Sequence, residues 1–394
     1  MTKLHRHRMI SGVALSLATV AGCKGGATLG LPDAYLAFAP VTDPAGEPKK
    51  SATGLPLVAQ LALDDQRSVP LHQQVGVGFV GEMLRTDYLA KQLVRDLAVA
   101  GKTFPEDARA AAREPTIFVF GRGLAPLGVG LAVKGFFGGA DDRPGVPWIG
   151  LKEDLAGDRA LPQTISGLLA RRAISRVVPG AAAAGASPLV DGYVDAMEVI
   201  AREWRVGQGP QGAVAPDAGT GTQRELFAGV RENSFTVDAE GTPRPARDLL
   251  TDPRVAATVI YRLAQSKAVG RRVAPADVYA PFVSERVPPG VSPAAVLGPF
   301  RNFQAKLLTA WSRAVLEGAP PRDVAELIDA YAKAMPEERL EAFRILIVTT
   351  YGATVKPGGV KATGPDAGAA LPELTALAAE VAAGRRSSRA ALTP

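Results

Sequence analysis

PLVDGYVDAMEVIAREWR, residues 188–205, decides the fold class. Leu189, Tyr193, Met197, Ile200 and Trp204 recur at steps of four and three, so a helix would align them in one apolar stripe about 100° wide. A stripe of that width needs a partner layer. Immediately upstream, residues 161–178 have helical patterning, and the small-residue turn PGAAAAGAS (179–187) joins the two segments as a helical hairpin. Further upstream a helix is expected from about Gly81 to Leu97. Leu84, Tyr88, Leu89, Leu93 and Leu97 would form its buried face, with Arg85, Lys91, Arg95 and Asp96 reaching solvent. Downstream, helices are expected over 253–268, 293–317, 321–334 and 336–351, most of them opening on proline, whose fixed φ and missing N–H cost little in a first turn.

Strand signals are few. Thr116-Ile117-Phe118-Val119-Phe120 is β-branched and aromatic and lies between Pro115 and Gly121. The run GRGLAPLGVGLAVKGFFGG (121–139) reads as buried strand and tight turn rather than a membrane-perturbing segment, because Arg122 and Lys134 would need partners in a bilayer. Asp141-Asp142 before Arg143-Pro144-Gly145 reads as a polar turn, since it has neither the alternating oxygen ligands nor the closing glutamate of a calcium loop. The expectation is a mainly α chain with a minor β contribution (α+β), built of helical hairpins around a large core in one or two subdomains. Its regions are a leader (1–22), a tether (23–56), an N-terminal α+β region (57–205), a linker or long loop (206–221), a C-terminal helical region (222–352) and a tail with a short helix (353–394). No fixed-period repeat is present.

The leader gives the address. Lys3, Arg6 and Arg8 precede a 14-residue, mostly apolar stretch from Met9 to Gly22, which is too short to span a bilayer and has the form of a secretory signal. Val20-Ala21-Gly22-Cys23 follows, and Cys23 is the chain's single cysteine. This tetrapeptide resembles the lipobox of bacterial lipoproteins. The resemblance implies that Cys23 becomes the acylated first residue of the mature chain, and that Lys24, which is not aspartate, favours the outer membrane. Buried acyl chains contribute about 0.8 kcal/mol per CH2, and a single chain anchors only marginally, so several acyl groups are needed for stable attachment.

Composition narrows the function. Residues 1–22 hold three of the 45 basic residues and none of the 39 acidic ones, so their removal lowers the formal charge from +6 to +3. A nearly neutral mature chain without a basic stripe excludes nucleic acid as the expected partner. With His5 and His7 in the leader, His72 is the only mature histidine, so a multi-histidine zinc site is impossible and a Ser-His-Asp or Cys-His site would depend on that one loop residue. No Gly-x-Ser-x-Gly, Ser-x-x-Lys, HExxH or phosphate-loop motif occurs. No catalytic residue, cofactor or metal ligand is expected.

Carboxylates remain. Asp191, Asp195 and Glu198 fall at i, i+4 and i+7 of the 188–205 helix and share a face opposite its apolar stripe. They could work as acid and base or hold a cation, but a solvated face with Arg202 nearby explains them without activity. Glu232, within Arg231-Glu232-Asn233, is a lone glutamate and a weak sign of glycan cleavage. The expected function is a non-enzymatic binding or scaffold component of the cell envelope, attached through its acyl groups and holding an envelope protein. The alternatives are a carboxylate-dependent envelope hydrolase acting on a peptidoglycan-type substrate and an anchored small-ligand-binding protein.

Overall fold

The computed structural model describes residues 35–61, 78–121, 124, 127–136, 139–151, 161–178, 180, 181, 185, 187–206, 221–242, 244–275, 278, 293–350, 354–356, 359–361, 383, 385, 387 and 388. Cys23, His72, nearly all of the expected linker and the expected tail helix lie outside them. The fold is mainly helical with a minor β part. Strands β1 (Tyr35–Pro40) and β2 (Leu57–Gln60) precede helix α1 (Gly78–Asp96), a small hairpin of β3 (Ala98–Val99) and β4 (Lys102–Thr103), and the short helix α2 (Glu106–Ala111). Then come β5 (Thr116–Phe120), β6 (Leu127–Phe136) and β7 (Gly139–Leu151). Helices α3 (Leu161–Val177) and α4 (Pro188–Val206) form the expected hairpin, followed by α5 (Gly221–Glu232), α6 (Ala246–Leu250), α7 (Pro253–Gln265) and α8 (Lys267–Arg271). The last helices are α9 (Pro293–Glu317), α10 (Val324–Ala334) and α11 (Arg339–Thr350), after which β8 (Thr354–Lys356) pairs with β9 (Gly359–Lys361).

Five strands close a barrel in the order β1-β2-β6-β7-β5. β1 runs parallel to β5 with Tyr35 opposite Thr116, β5 runs parallel to β7 with Phe118 opposite Ile149, and β6 and β7 are antiparallel. Alternation along β5 separates two cores. Ile117 and Val119 pack with Phe38, Val58, Leu131, Val133 and Trp148 inside the barrel. Phe118 and Phe120, with Ala37, Ile149 and Leu151, instead join the large helical core.

Two expectations about this region need correction. Residues 35–56 are not tether: β1 is a barrel strand, and Thr42 and Lys50 bridge to Pro48 and Pro56. The patch Tyr35–Phe38 alternates on the same period as β5, but an isolated six-residue strand gives too short a pattern to stand out among glycines and prolines. Asp141-Asp142 is not a turn but part of β7, where Asp142 accepts a hydrogen bond from Thr53 at 2.6 Å and Asp141 pairs with Arg143 at 2.7 Å. The 121–139 run does contain a strand, β6, as expected. Its register slips between Val129 and Leu131 at Gly130, whose φ of +80° strains any residue with a Cβ. The slip reverses the facing of the strand. Leu131 and Val133 enter the barrel beside Trp148, whereas Leu127 and Val129 turn outward and are 43% and 68% exposed.

The helices form the second layer. α3 packs on α1 and on α4, and α4 crosses α7 closely enough that a Cβ on Gly192 would come within 2.6 Å of both the Pro253 carbonyl oxygen and the Ala256 Cβ. Leu189, Tyr193, Met197 and Ile200, four of the five residues of the expected stripe, are buried. α9 lies at the centre, kinked at Gly298 before Pro299. Trp311 stands edge-on to Tyr193, whose hydroxyl bonds Gln304 at 2.9 Å. Lys306 is fully buried and donates to the Val269 carbonyl at 2.8 Å and to Glu338 at 2.5 Å, and Glu338 also accepts from Tyr331. Thus one cation joins α8, α9, α10 and the turn before α11.

Gly192→Val is expected to destabilise the chain by about 2–3 kcal/mol, because the branched side chain must push α7 off α4. Urea unfolding checks this, with Gly192→Ala giving a smaller loss of the same sign.

Candidate functional site

The acidic face of α4 is covered. Asp191, Asp195 and Glu198 are each only partly accessible, and α3 and α7 pack on either side of them. Asp191 takes a hydrogen bond from Arg171 of α3 at 2.6 Å and another from the Gly185 N–H at 3.0 Å. Glu198 lies directly against Gly167 of α3, in space that a Cβ there would fill. The expectation of a solvated face is corrected accordingly. Arg202 is not beside these carboxylates in solvent either: it is 4% exposed and its guanidinium stacks on the Phe227 ring at 4.3 Å.

Coverage changes the acidity. Burial, then the charge of Asp191, lifts the Asp195 carboxyl to about 6 against the pull of Arg171 and Arg254, with Asp252 adding to the rise. Burial, then the charge of Asp195, lifts Glu198 to about 7, again against Arg171. Raised carboxyls are what acid–base chemistry would use. A glycan-cleaving pair, however, must flank the bond it breaks, with carboxyls about 5–10 Å apart across the substrate. Here Glu198 lies against Gly167 of α3 instead of facing an open cleft. Among the described residues no group of three or more histidine, cysteine, aspartate or glutamate side chains could hold a metal. Glu232 is exposed at the end of α5. A recess of about 100 Å³ between α9 and α10, lined by four alanines with Arg313, Glu317 and Lys333, is smaller than the several hundred Å³ typical of ligand pockets.

A second constellation was not expected from the sequence. Asp87 of α1 is 1% exposed and faces three cations: Arg176 of α3 at 2.7 Å, Lys91 of α1 at 3.7 Å and Arg172 of α3 at 4.0 Å. The Thr116 hydroxyl at the start of β5 donates to Asp87 and accepts from Lys91. Burial alone would raise the Asp87 carboxyl, but Arg176, Lys91 and Arg172 together hold it far below the usual range. Burial lowers Lys91 to about 8 despite the attraction of Asp87, and lowers Arg172 to about 10. Lys91 is therefore not the solvent-facing residue expected. Its i, i+4 spacing from Asp87 was readable, but such pairs are ordinarily exposed, and the arrival of Arg172 and Arg176 from a helix some eighty residues on leaves no local trace.

No protein family, curated protein or solved structure matches this chain in sequence or in fold.

Two outcomes follow. Between about pH 4.5 and 7 the folded state keeps a proton on Glu198 that the unfolded chain has lost, so stability falls as pH rises through that window. Glu198→Gln is expected to flatten the fall and to exceed the wild type at pH 8 by about 1–3 kcal/mol, read from urea midpoints across pH. Asp87→Asn leaves three cations clustered without their carboxylate and is expected to cost about 3–5 kcal/mol, measured by unfolding at pH 7.

Proposed function

We propose that this chain is a lipid-anchored component of the cell envelope that holds a partner and performs no catalysis. The observation that carries the reading is the outward-turned pair Leu127 and Val129. Both lie on one face of β6, and both remain exposed because the bulge at Gly130 keeps them out of the barrel core. Large apolar side chains left together on a strand are a surface for protein contact. Val129 is opposite Pro147, itself exposed, so the apolar surface continues from β6 onto β7.

The address is part of the proposal. The lipobox-like Val20-Ala21-Gly22-Cys23 supports acylation at Cys23, and Lys24 supports an outer-membrane location facing the periplasm or the surface. Among the described residues no helix is long and apolar enough to cross a membrane, so attachment in this reading is by the acyl groups. The hydrolase reading is less favoured because the raised carboxyls on α4 are packed beneath α3 and α7.

Intact mass and membrane fractionation in a bacterial host test the address: the wild type should gain acyl mass and sediment with membranes, and Cys23→Ser should lose both. Release of an unmodified soluble chain would overturn it. For the surface, a photo-crosslinking residue at position 129 should trap an envelope protein in cells, whereas the same residue at exposed Glu106 should not. Val129→Glu is expected to weaken the trapped complex by about tenfold or more, a loss of at least about 1.4 kcal/mol. An unchanged complex rejects the surface.

A further inference from the structure

Near its C-terminus the chain returns to α10. Ser388 is fully buried, and it meets the Asp329 carboxylate three times: its N–H donates at 3.0 and 3.2 Å and its hydroxyl at 2.5 Å. Bonds to an ionised carboxylate are among the stronger and more directional ones, so they fix where the C-terminal stretch joins the helical layer. Asp329 lies one residue before Ala330 and one turn before Lys333, and both of these line the recess between α9 and α10. The tail is fastened beside an opening.

That opening has the form of a helix seat. Ala310, Arg313, Ala314 and Glu317 fall at i, i+3, i+4 and i+7 of α9, and Ala330, Lys333 and Ala334 at i, i+3 and i+4 of α10, so each helix contributes one face. The four alanines make the floor, and the charged side chains form a rim on which Lys333 pairs with Glu317 at 2.6 Å. Short side chains on two neighbouring helices leave the kind of hole that an aliphatic side chain fills when a third helix packs across them.

Residues 372–383, PELTALAAEVAA, carry the matching surface. As a helix they would align Leu374, Leu377, Ala378 and Val381 at i, i+3, i+4 and i+7, with Pro372 suited to the first turn and Gly384 to the stop. A helix of this length is marginal in water unless its apolar stripe is covered. Glu373 and Glu380, its only charged residues, would flank the stripe on one side, and the rim of the recess offers Arg313 and Lys333 against one acid, Glu317. The reach is sufficient. The five-residue step from Ala383 to Ser388 spans up to about 17 Å when extended, whereas Asp329 to Ala334 is only about 7.5 Å along α10.

We propose that the recess between α9 and α10 is the docking site of the chain's own segment 372–383, which lies across it as a helix with Leu374, Leu377, Ala378 and Val381 on the alanines. Fastening at Asp329 holds the segment at high effective concentration, so a helix contact too weak to form between separate molecules stays occupied. The recess takes a piece of chain and not a small molecule, and the Leu127–Val129 surface has no part in it, so each can fail alone.

The test uses the full chain, detergent-solubilised and dilute, with a photo-crosslinking residue in place of Lys333, whose side chain is 69% exposed. Irradiation and tryptic mass mapping should join position 333 to fragment 362–385, released by cleavage after Lys361 and Arg385. The same residue at Arg313 should capture that fragment from the α9 side, and at exposed Glu106 it should not. Leu374→Asp combined with Leu377→Asp should cut the yield about fivefold or more, because the burial of both leucines is lost. An adduct found only in a dimeric species gives the recess to a second copy, and one formed in cells to another envelope protein in place of 362–385 gives it to an external partner. Either result overturns docking within the chain, as does the absence of an adduct at 362–385 or a yield that the two aspartates leave unchanged.

Discussion

Every other feature hangs on a five-residue strand that has no solvent side. Thr116 to Phe120 are all buried, because β5 is at once a stave of the barrel and the floor of the helical core. The pleat sends Ile117 and Val119 one way and Phe118 and Phe120 the other, so a slip of one residue would place two phenyl rings inside a narrow barrel and two smaller side chains against the helices. Burying an apolar side chain of this size contributes about 1.5–3 kcal/mol, and a one-residue slip would spoil four such contacts together. Register in β5 is therefore tightly specified, and it fixes the position of Thr116, hence of Asp87 and α1.

The buried ions act on the same problem from the helical side. Lys306 and Glu338, and Asp87 with its three cations, are weak sources of net stability because desolvation offsets most of their attraction. Their value is directional. Lys306 finds carbonyls of α8 and the loop after it and a carboxylate before α11 in only one arrangement, and Asp87 finds Arg176 only when α1 and α3 lie side by side. Apolar stripes alone would let these helices slide by a turn. The two asparagines of the whole chain play a similar part: Asn302 bonds the Ala274 N–H and the Arg272 carbonyl, and Asn233, at a φ of +60°, donates to the Thr349 carbonyl.

What could be read in advance follows from the range of each signal. Helical stripes such as Leu189-Tyr193-Met197-Ile200 are local and strong, so the helices at 161–177, 188–206 and 293–317 were legible within a residue or two. So was β5. The short helix α6 carries too few turns to declare a face, and the barrel itself was invisible because its closure pairs β1 with β5 across some eighty residues. Charged residues misled for a related reason. Lys91 and Glu198 look solvated along their own helices, and the packing of α3, with Gly167 opening space for Glu198, buries the first and partly covers the second. Leu127 and Val129 show the converse, apolar residues in an apolar run that a single positive-φ glycine turns outward.

Closure of the barrel has a last consequence, for recognition. A sheet with a free margin offers its unpaired N–H and C=O groups to any extended peptide, which can bind by adding a strand with little regard for sequence. In this barrel β1 and β5 pair with each other, so the seam between those two strands is closed. A partner docking on the β6 face, as proposed, meets no open seam between β1 and β5, so its selectivity rests on the shape and charge of side chains such as Leu127 and Val129.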